Sequence, residues 1–206
     1  MSPLVFGNWM RHALASAFGE ASHDAIDKSV NLMNAVRELI RADFLRAYHP
    51  AMWDDEERCR HLLLTSAPWQ ATLLYRVSHA LFLTAPEDPL LDMLSYVMRT
   101  RTGIEVYYSS TIGEGFRIMH GEGLVLGPRN RIGKNLTVYQ GVTLGQRRQN
   151  SPEESLEIGD DCIFFAGARI LGKLKIGNDV KVAANAVLLC DAEDGATYGG
   201  IPAKRI

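Results

Sequence analysis

The feature that most constrains the fold is a repeat of six residues that runs from Ile104 to Leu189. A period of six fits neither the 3.6-residue turn of an α-helix nor the two-residue alternation of an isolated strand. It fits a solenoid with triangular coils, in which each of three flat faces directs one aliphatic side chain inward. The inward positions, in three successive phases, are Val106, Ile112, Ile118 and Leu124, then Leu126, Ile132, Val138 and Leu144, then Ile158, Phe164, Ile170, Ile176, Val182 and Leu188.

Smaller residues complete each repeat. The position two before an inward aliphatic is expected to face the same interior and is often small or apolar: Ser110, Val142, Cys162, Ala168, Val180 and Ala186. Glycine often follows the aliphatic, where the chain must turn sharply, because glycine accepts unusual backbone angles at low cost. The repeat breaks twice, by a phase slip at 121–123 and by a gap from 146 to 157. A solenoid can extrude such loops without disturbing its stacked core.

Composition limits the class of protein. The chain has 206 residues, 47% hydrophobic and 22% charged, as expected for a soluble globular protein. Its net charge of −2 gives no case for a nucleic-acid partner. The three cysteines have no paired spacing, which indicates a reducing compartment without disulfides. Because neither a signal peptide nor an apolar run long enough to span a membrane is visible, we expect a cytoplasmic protein.

The first hundred residues show helical patterns instead. A weak pattern over 1–22 predicts a short or frayed helix, and an apolar stripe predicts a helix over 23–48. Ser66 reads as the N-cap of a helix through Leu83. The remaining expectations are a short helix at 54–57 and a last helix from about residue 90 to Arg101, stopped by Gly103. The predicted fold is therefore α+β, with an all-helical domain over 1–102 followed by a parallel β-helix over 103–206.

The helical half carries apolar residues that need cover: Leu73, Leu74, Val77, Leu81, Leu90, Leu91, Met93, Leu94 and Val97. They could pack on one another, cap the first coil of the solenoid, or pair with another subunit. A cap is needed somewhere, because the open end of a solenoid exposes both core and strand edges.

His120 is the one histidine within the solenoid, and it lies at the phase slip. An imidazole near a corner can take a proton from a hydroxyl, and a carboxylate on its other nitrogen would fix the tautomer. Glu105 lies fifteen residues earlier, close to one coil, and is the candidate carboxylate. The alternative is a surface histidine without a role. A zinc site needs three converging ligands, so one histidine with Cys162 and Cys190 predicts no metal.

Several stretches together resemble the serine acetyltransferases, which are hexapeptide-repeat acyltransferases with a left-handed parallel β-helix. The resemblance covers roughly 41–206 and rests on these segments: Leu74–His79, Gly103–Val106, Thr111–Gly113, His120, Gly141–Gly145, Ala166–Gly172 and Gly200–Lys204. It implies that His120 is the general base and that Glu105 stands in for the family's aspartate partner. It also implies direct attack of the acceptor hydroxyl on acetyl-CoA, with the oxyanion met by backbone N–H groups.

The same resemblance implies a donor site and an assembly. Acetyl-CoA is expected to lie in a groove between two solenoids, with its phosphates near the C-terminus, where charge-assisted bonds are strong. The implied donor-site residues are Gly145, Ala166, Gly167, Ala184, Lys204 and Arg205. Because one solenoid offers one wall of that groove, a homotrimer is expected, and the helical half could join trimers into a dimer of trimers.

The acceptor pocket departs from the family pattern. Met119 replaces an aspartate before the catalytic histidine, and His49 replaces an aspartate before a proline. Glu153 and Glu154 occupy loop positions where the family carries an arginine and a histidine. An acidic pair there would repel a carboxylate, although Arg147 and Arg148 could compensate in part. We therefore expect an O-acetyltransferase that acts on a sugar hydroxyl of a capsular or surface polysaccharide. The substrate-binding residues would be His49, Met119, Arg147, Glu153 and Glu154, with Tyr107, Tyr108 and Arg117 as further sugar contacts.

Two alternatives remain open. The first is a divergent serine O-acetyltransferase of cysteine biosynthesis, which the terminal Ile206 favours, because such enzymes dock a C-terminal isoleucine into cysteine synthase. The second is a non-catalytic solenoid that serves as a scaffold.

Overall fold

The computed structural model describes residues 2–19, 23–148 and 151–206. Its N-terminal half is helical, with a single-turn 3₁₀ helix at Pro50–Met52 between α3 and α4. The α-helices are α1 Pro3–Phe18, α2 His23–Ala35, α3 Arg37–Ala47, α4 Glu56–Thr65, α5 Ala67–Thr84 and α6 Leu90–Thr102. None of the helices in the described part of the chain is long and apolar enough to cross a membrane.

The predicted ends of α5 and α6 are confirmed. The Ser66 side chain accepts a hydrogen bond from the Trp69 N–H at the start of α5, and Gly103 ends α6 in the left-handed conformation with φ of 66°. The prediction of one helix over 23–48 is wrong in detail, because the chain breaks at Val36 between α2 and α3. The N-terminal segment is also longer than expected: α1 has sixteen residues, because one of its faces is buried in the core.

The second half is a parallel β-helix of five coils, with strands β1 Glu105–Val106, β2 Thr111–Ile112, β3 Arg117–Met119, β4 Val125–Leu126, β5 Arg131–Ile132, β6 Thr137–Tyr139, β7 Thr143–Gly145, β8 Leu156–Ile158, β9 Ile163–Phe164, β10 Arg169–Leu171, β11 Leu174–Ile176, β12 Lys181–Val182, β13 Val187–Leu188, β14 Thr197–Gly200 and β15 Ala203–Arg205. Face 1 contains β1-β4-β7-β10-β13, face 2 contains β2-β5-β8-β11, and face 3 contains β3-β6-β9-β12-β14, which pairs antiparallel with β15. The predicted fold class is confirmed.

The core of the solenoid is the repeat read from the sequence. Every predicted inward aliphatic is buried, with exposed fractions from 0% to 7%, and the six smaller positions two residues earlier are fully buried. Each strand is only two to four residues long, so each face contributes little more than one inward side chain per coil. The stability of the solenoid therefore depends on stacking one coil on the next.

Glycine is required where face 2 turns into face 3. A Cβ atom added to Gly113 would lie 2.7 Å from the carbonyl group of Gly133 in the next coil, well inside any real contact distance. The same corner is tied by side-chain acceptors, because Asp160 Oδ1 accepts the Lys134 N–H at 2.7 Å and Asn178 Oδ1 accepts the Asp160 N–H at 2.8 Å. Close backbone approach and these bonds together fix the register of the coils.

Helix α5 caps the open edge of the first coil. The Tyr75 hydroxyl donates to the Ser110 carbonyl at 2.8 Å and accepts from the Ile112 N–H at 3.0 Å. One turn later, His79 Nδ1 lies 2.6 Å from the Tyr108 carbonyl, so Nδ1 carries the proton and donates it. Burial lowers the pKa of His79, which favours this neutral form. Of the three alternatives for the helical half, capping of the first coil is therefore observed.

A buried ion pair joins α3, α5 and the first coil. Arg76 donates from Nε and Nη2 to the two Asp43 carboxylate oxygens at 2.7 and 3.0 Å, and both side chains are 1% exposed. Arg76 also donates to the carbonyls of Ile112 and Gly113 at 2.5 and 2.7 Å, and Asp43 accepts the Phe116 N–H at 2.8 Å. Burial raises the pKa of Asp43, and the adjacent Arg76 guanidinium opposes that rise. The pair thus replaces hydrogen bonds that a preceding coil would have supplied.

We expect Asp43→Asn to lower the free energy of unfolding by about 3–5 kcal/mol, because it leaves the Arg76 guanidinium buried without a counter-charge. Urea denaturation followed by circular dichroism measures the change. Lys134→Met, which removes an exposed ion pair with Glu114, is the matched control and should leave the midpoint near that of the wild type. Equal effects of the two substitutions would contradict the capping role of Asp43.

Candidate active site

The phase slip seen in the sequence is a two-residue insertion between the first and second coils. Arg117 pairs with Thr137, twenty residues later, whereas Ile163 pairs with Lys181, eighteen residues later. The extra residues are His120–Gly121, which follow β3 at the corner between faces 3 and 1. The insertion therefore places the solenoid histidine on a corner that no other coil reproduces.

The backbone of the insertion turns back on itself. His120 has φ of 63° and Gly121 has φ of 94°, and the Gly121 N–H donates to the Met119 carbonyl at 2.8 Å. A Cβ atom at Gly121 would lie 2.6 Å from Cδ1 of Ile104 in the core. Because the glycine is pressed against the core, the His120 side chain is directed outward and is exposed, as expected for a group that meets a substrate.

Glu105 lies beside the segment that follows His120, but no hydrogen bond joins the side chains of this predicted pair. The Glu105 N–H donates to the Leu124 carbonyl at 2.9 Å, so β1 runs beside the segment that follows the insertion. The Glu105 carboxylate, however, lies 3.4 Å from Nη1 of Arg99 on α6. Within the described part of the chain, His120 makes no hydrogen bond or ion pair. The His120–Glu105 dyad stays a prediction.

The ring that does contact His120 is that of Tyr139, with centroids 6.4 Å apart and planes inclined by 48°. Tyr139 in turn stacks on Phe165 of the third coil at 5.4 Å and 29°. Sequence reasoning missed both rings. The signal was present, because each of them directly follows an inward aliphatic, Val138 or Phe164, and must therefore point outward beside the corner that carries His120.

The predicted donor-site residues of the middle coils lie on this same corner. The Gly167 N–H donates to the Gln140 carbonyl, and the Asn185 N–H donates to the Ala166 carbonyl, so the turns stack above one another. Ala166 and Gly167 are partly exposed and Ala184 is exposed. The structure thus brings His120 and these three small residues to one edge of the prism.

The other predicted donor-site residues lie elsewhere. Gly145 ends β7 at the opposite edge of face 1, where its carbonyl accepts the Gly172 N–H at 2.9 Å. Lys204 and Arg205 lie on β15 of the terminal hairpin and are exposed, and Arg205 forms an ion pair with Glu193. The two cations are therefore available at the far end of the solenoid from His120.

The loop that leaves face 1 after β7 has an arrangement that the sequence did not reveal. Glu154 Oε2 accepts the N–H groups of Arg147 and Arg148 at 2.6 and 3.1 Å, so this carboxylate is used within the loop. Glu153 is exposed. The guanidinium groups of Arg147 and Arg148 are exposed and have no partner among the described residues. These two bonds direct the Glu154 carboxylate toward the loop backbone, and the carboxylate keeps its negative charge.

Two more predicted acceptor-site residues are separated by the structure. Met119 ends β3 beside Tyr139 in the parallel ladder, next to His120. His49 instead caps the 3₁₀ helix, where its Nδ1 accepts the Ala51 N–H at 3.3 Å, and no described contact joins it to the corner. Among the described residues, no group of three or more His, Cys, Asp or Glu side chains is placed to hold a metal ion.

Comparisons with solved structures define the class of fold. The chain aligns with Neisseria gonorrhoeae serine acetyltransferase at a TM-score of 0.79 and 25% identity, covering 98% of this chain and 78% of that one. It aligns with Brucella abortus serine acetyltransferase in complex with coenzyme A at a TM-score of 0.79 and 22% identity, covering 100% of this chain and 83% of that one. The helical half and the solenoid thus together form the architecture of a hexapeptide-repeat acyltransferase.

Sequence comparisons identify the family within that class. The chain is 40% identical to Helicobacter pylori serine acetyltransferase over 136 residues, which are 66% of this chain and 79% of that protein. It is 38% identical to the Bacillus subtilis enzyme over 143 residues, which are 69% of this chain but only 65% of that protein's length. No family model matches. The chain belongs to the serine acetyltransferase family.

These comparisons correct the expectation about the acceptor. The prediction of a sugar hydroxyl in a capsular polysaccharide is wrong, because the curated relatives at 35–40% identity are serine acetyltransferases. That prediction relied on Met119, on His49 and on the acidic residues of the loop after β7. The sequence also did not reveal that the Glu154 carboxylate accepts hydrogen bonds from the Arg147 and Arg148 N–H groups.

We expect Gly121→Ala to destabilise the protein by about 2–5 kcal/mol, because a left-handed residue gains a Cβ that also meets the core. Gly195→Ala is the matched control, since Gly195 has φ of 68° but has no atom within 4 Å of an added Cβ, and it should cost about 1–2 kcal/mol. Thermal denaturation of both variants separates backbone strain from the clash. A Gly121→Ala variant no less stable than Gly195→Ala would contradict the tight packing of this corner.

Proposed function

We propose that this protein is a serine O-acetyltransferase that uses acetyl-CoA as its donor. The observation that carries the proposal is the exposed His120, which a two-residue insertion places at an outward corner of the solenoid. The chain that carries it belongs to the serine acetyltransferase family. An outward imidazole on a stiff scaffold suits a general base, because proton abstraction requires a fixed position within hydrogen-bond reach of the acceptor.

In the proposed reaction, neutral His120 removes the proton from the serine hydroxyl as its oxygen attacks the thioester carbonyl of acetyl-CoA. The tetrahedral intermediate then collapses, the C–S bond breaks, and the imidazolium returns the proton to the departing CoA thiolate. The products are O-acetylserine and CoA, so no further reactant is needed. In this proposal the Glu105 carboxylate supports the imidazolium only after it leaves Arg99, because the two side chains are separate in the structure.

The donor would lie along the corner that carries His120. Ala166, Gly167 and Ala184 leave room for an extended chain, since small side chains let a ligand approach the backbone closely. Lys204 and Arg205 would receive the phosphates, with Arg205 exchanging its exposed pairing with Glu193 for a charge-assisted bond. A single prism supplies one wall of this groove, so we include a homotrimer in the proposal.

The acceptor would be held by the loop after β7. Arg147 and Arg148 carry the free guanidinium groups of this loop, and guanidinium binds a carboxylate strongly through paired hydrogen bonds. Their backbone N–H groups donate to Glu154, and their side chains stay exposed. The loop leaves face 1 at the edge opposite His120, so in a trimer it would serve a site shared with a neighbouring subunit.

The direct test incubates the protein with acetyl-CoA and L-serine and follows the release of CoA thiol. We expect turnover with serine, and a fall in kcat of about 10²–10⁴-fold in His120→Ala, because a general base contributes on that order. A surface histidine variant, His61→Ala, is the control and should retain the wild-type rate. Absence of turnover with serine, or full activity without His120, would refute the proposal.

Replacing Arg147 and Arg148 by Met should raise KM for serine by about 10–100-fold, because a hydrogen bond to a charged group contributes about 1.5–3 kcal/mol. The KM for acetyl-CoA should stay unchanged. Arg131→Met, on the outward side of face 2, is the matched control and should leave both constants as in the wild type. If the double variant retains the wild-type KM for serine, the loop does not bind the carboxylate.

A further inference from the structure

We propose that Tyr139 is a positioning residue for the reaction, and that its ring, supported by Phe165, holds the His120 imidazole in the orientation that accepts the proton. This inference rests on the proposed function and assigns a role to rings that are not part of the proposed proton transfer. Among the residues that the structure describes, no polar group holds the His120 imidazole, and the proposal accounts for its orientation.

The His120 side chain has no polar restraint among the described residues. A general base of this kind usually has its second nitrogen bonded to an orienting group. The Glu105 carboxylate is instead at Arg99, and in the described part of the chain the His120 ring has no hydrogen-bond partner. The side chain also projects from an insertion that the coils on either side do not repeat. Its orientation therefore depends on packing.

Tyr139 is itself rigidly held by its neighbours on face 3. Its backbone ends β6, between β3 on one side and β9 on the other in the parallel ladder of face 3. Its ring stacks on Phe165, and both side chains are half-buried. The Phe165 N–H donates to the Val182 carbonyl at 2.9 Å, which fixes the base of the stack. A ring whose backbone is held on two sides, and which stacks on a second ring, can restrain a third ring by contact.

On face 3, small residues replace the outward rings in the coils farther from His120. The parallel register places Ala183 beside Phe165 in the fourth coil, and Gly199 beside Ala183 in the fifth. The Ile206 side chain lies over Gly199, which accounts for the small residue there. The rings occur in the second and third coils, and Tyr139 belongs to the coil next to the one that bears His120.

An aromatic ring in this position can restrain the base by contact. Aromatic pairs with centroids 4.5–7 Å apart are attractive when tilted or offset, and the His120–Tyr139 geometry falls in that range. The ring thus restrains the base without competing for either nitrogen.

Kinetics of Tyr139→Leu test the proposal. We expect kcat to fall on the order of tenfold while both KM values stay within about twofold, because a misplaced base slows the chemical step without weakening binding. Tyr139→Phe keeps the ring and should restore the rate, which separates packing from any use of the phenol proton. Tyr96→Leu removes one ring of a similar exposed pair, Phe18–Tyr96 at 5.5 Å and 49°, and should not change kcat.

A double-mutant cycle shows whether Tyr139 acts through His120. In the His120→Ala background, Tyr139→Leu should cause no further loss, because the group that it orients is gone. An undiminished effect in that background, a selective rise in KM, or a Tyr139→Phe variant as slow as Tyr139→Leu would overturn the proposal. The wild-type rate with serine decides the proposed function separately.

An NMR measurement tests the contact even if serine proves not to be the acceptor. The ring-proton resonances of His120 are identified by their loss in His120→Ala, and Tyr139→Leu should shift them through loss of the ring current. Tyr96→Leu should leave them in place. Unchanged His120 resonances in Tyr139→Leu would overturn the positioning role, whatever the substrate.

Discussion

The structure depends on hydrogen-bond partners for the N–H and C=O groups at the open edge of the first coil. A β-helix exposes unpaired N–H and C=O groups at its start, and burying them unpaired would be costly. Tyr75 and Arg76 lie on one turn of α5 and His79 on the next, and all three bond those groups directly. Asp43 neutralises the arginine that does most of this bonding. The helical half thus supplies the partners that a preceding coil would otherwise provide.

That fixed edge sets the geometry of the candidate site. The first coil carries His120 at its last corner, and the second coil follows in register after the insertion. Stacked turns then place small residues above the histidine and the outward rings of Tyr139 and Phe165 beside it. A site assembled in this way owes its precision to backbone ladders and not to side-chain hydrogen bonds. It also leaves Glu105 in a separate ion pair with Arg99.

Most of the fold could be predicted, because a six-residue period has one simple structural solution and each inward position repeats it. The ends of α5 and α6 could be predicted equally well, because Ser66 and Gly103 act on their immediate neighbours. The break at Val36 and the full length of α1 could not be predicted, because they depend on which faces the other helices bury. The hydrogen bonds of Glu154 could not be predicted either, because they join its carboxylate to N–H groups in a loop that follows no repeat.

The sequence by itself determined the coil, its inward residues, the corner histidine and the resemblance to one enzyme family, because these are periodic or local properties of the chain. Only the tertiary structure decided that α5 caps the first coil, that Glu105 pairs with Arg99, and that Tyr139 contacts His120. Each of these contacts joins residues whose spacing follows no repeat. Their partners are chosen by packing between elements, which a linear pattern does not encode.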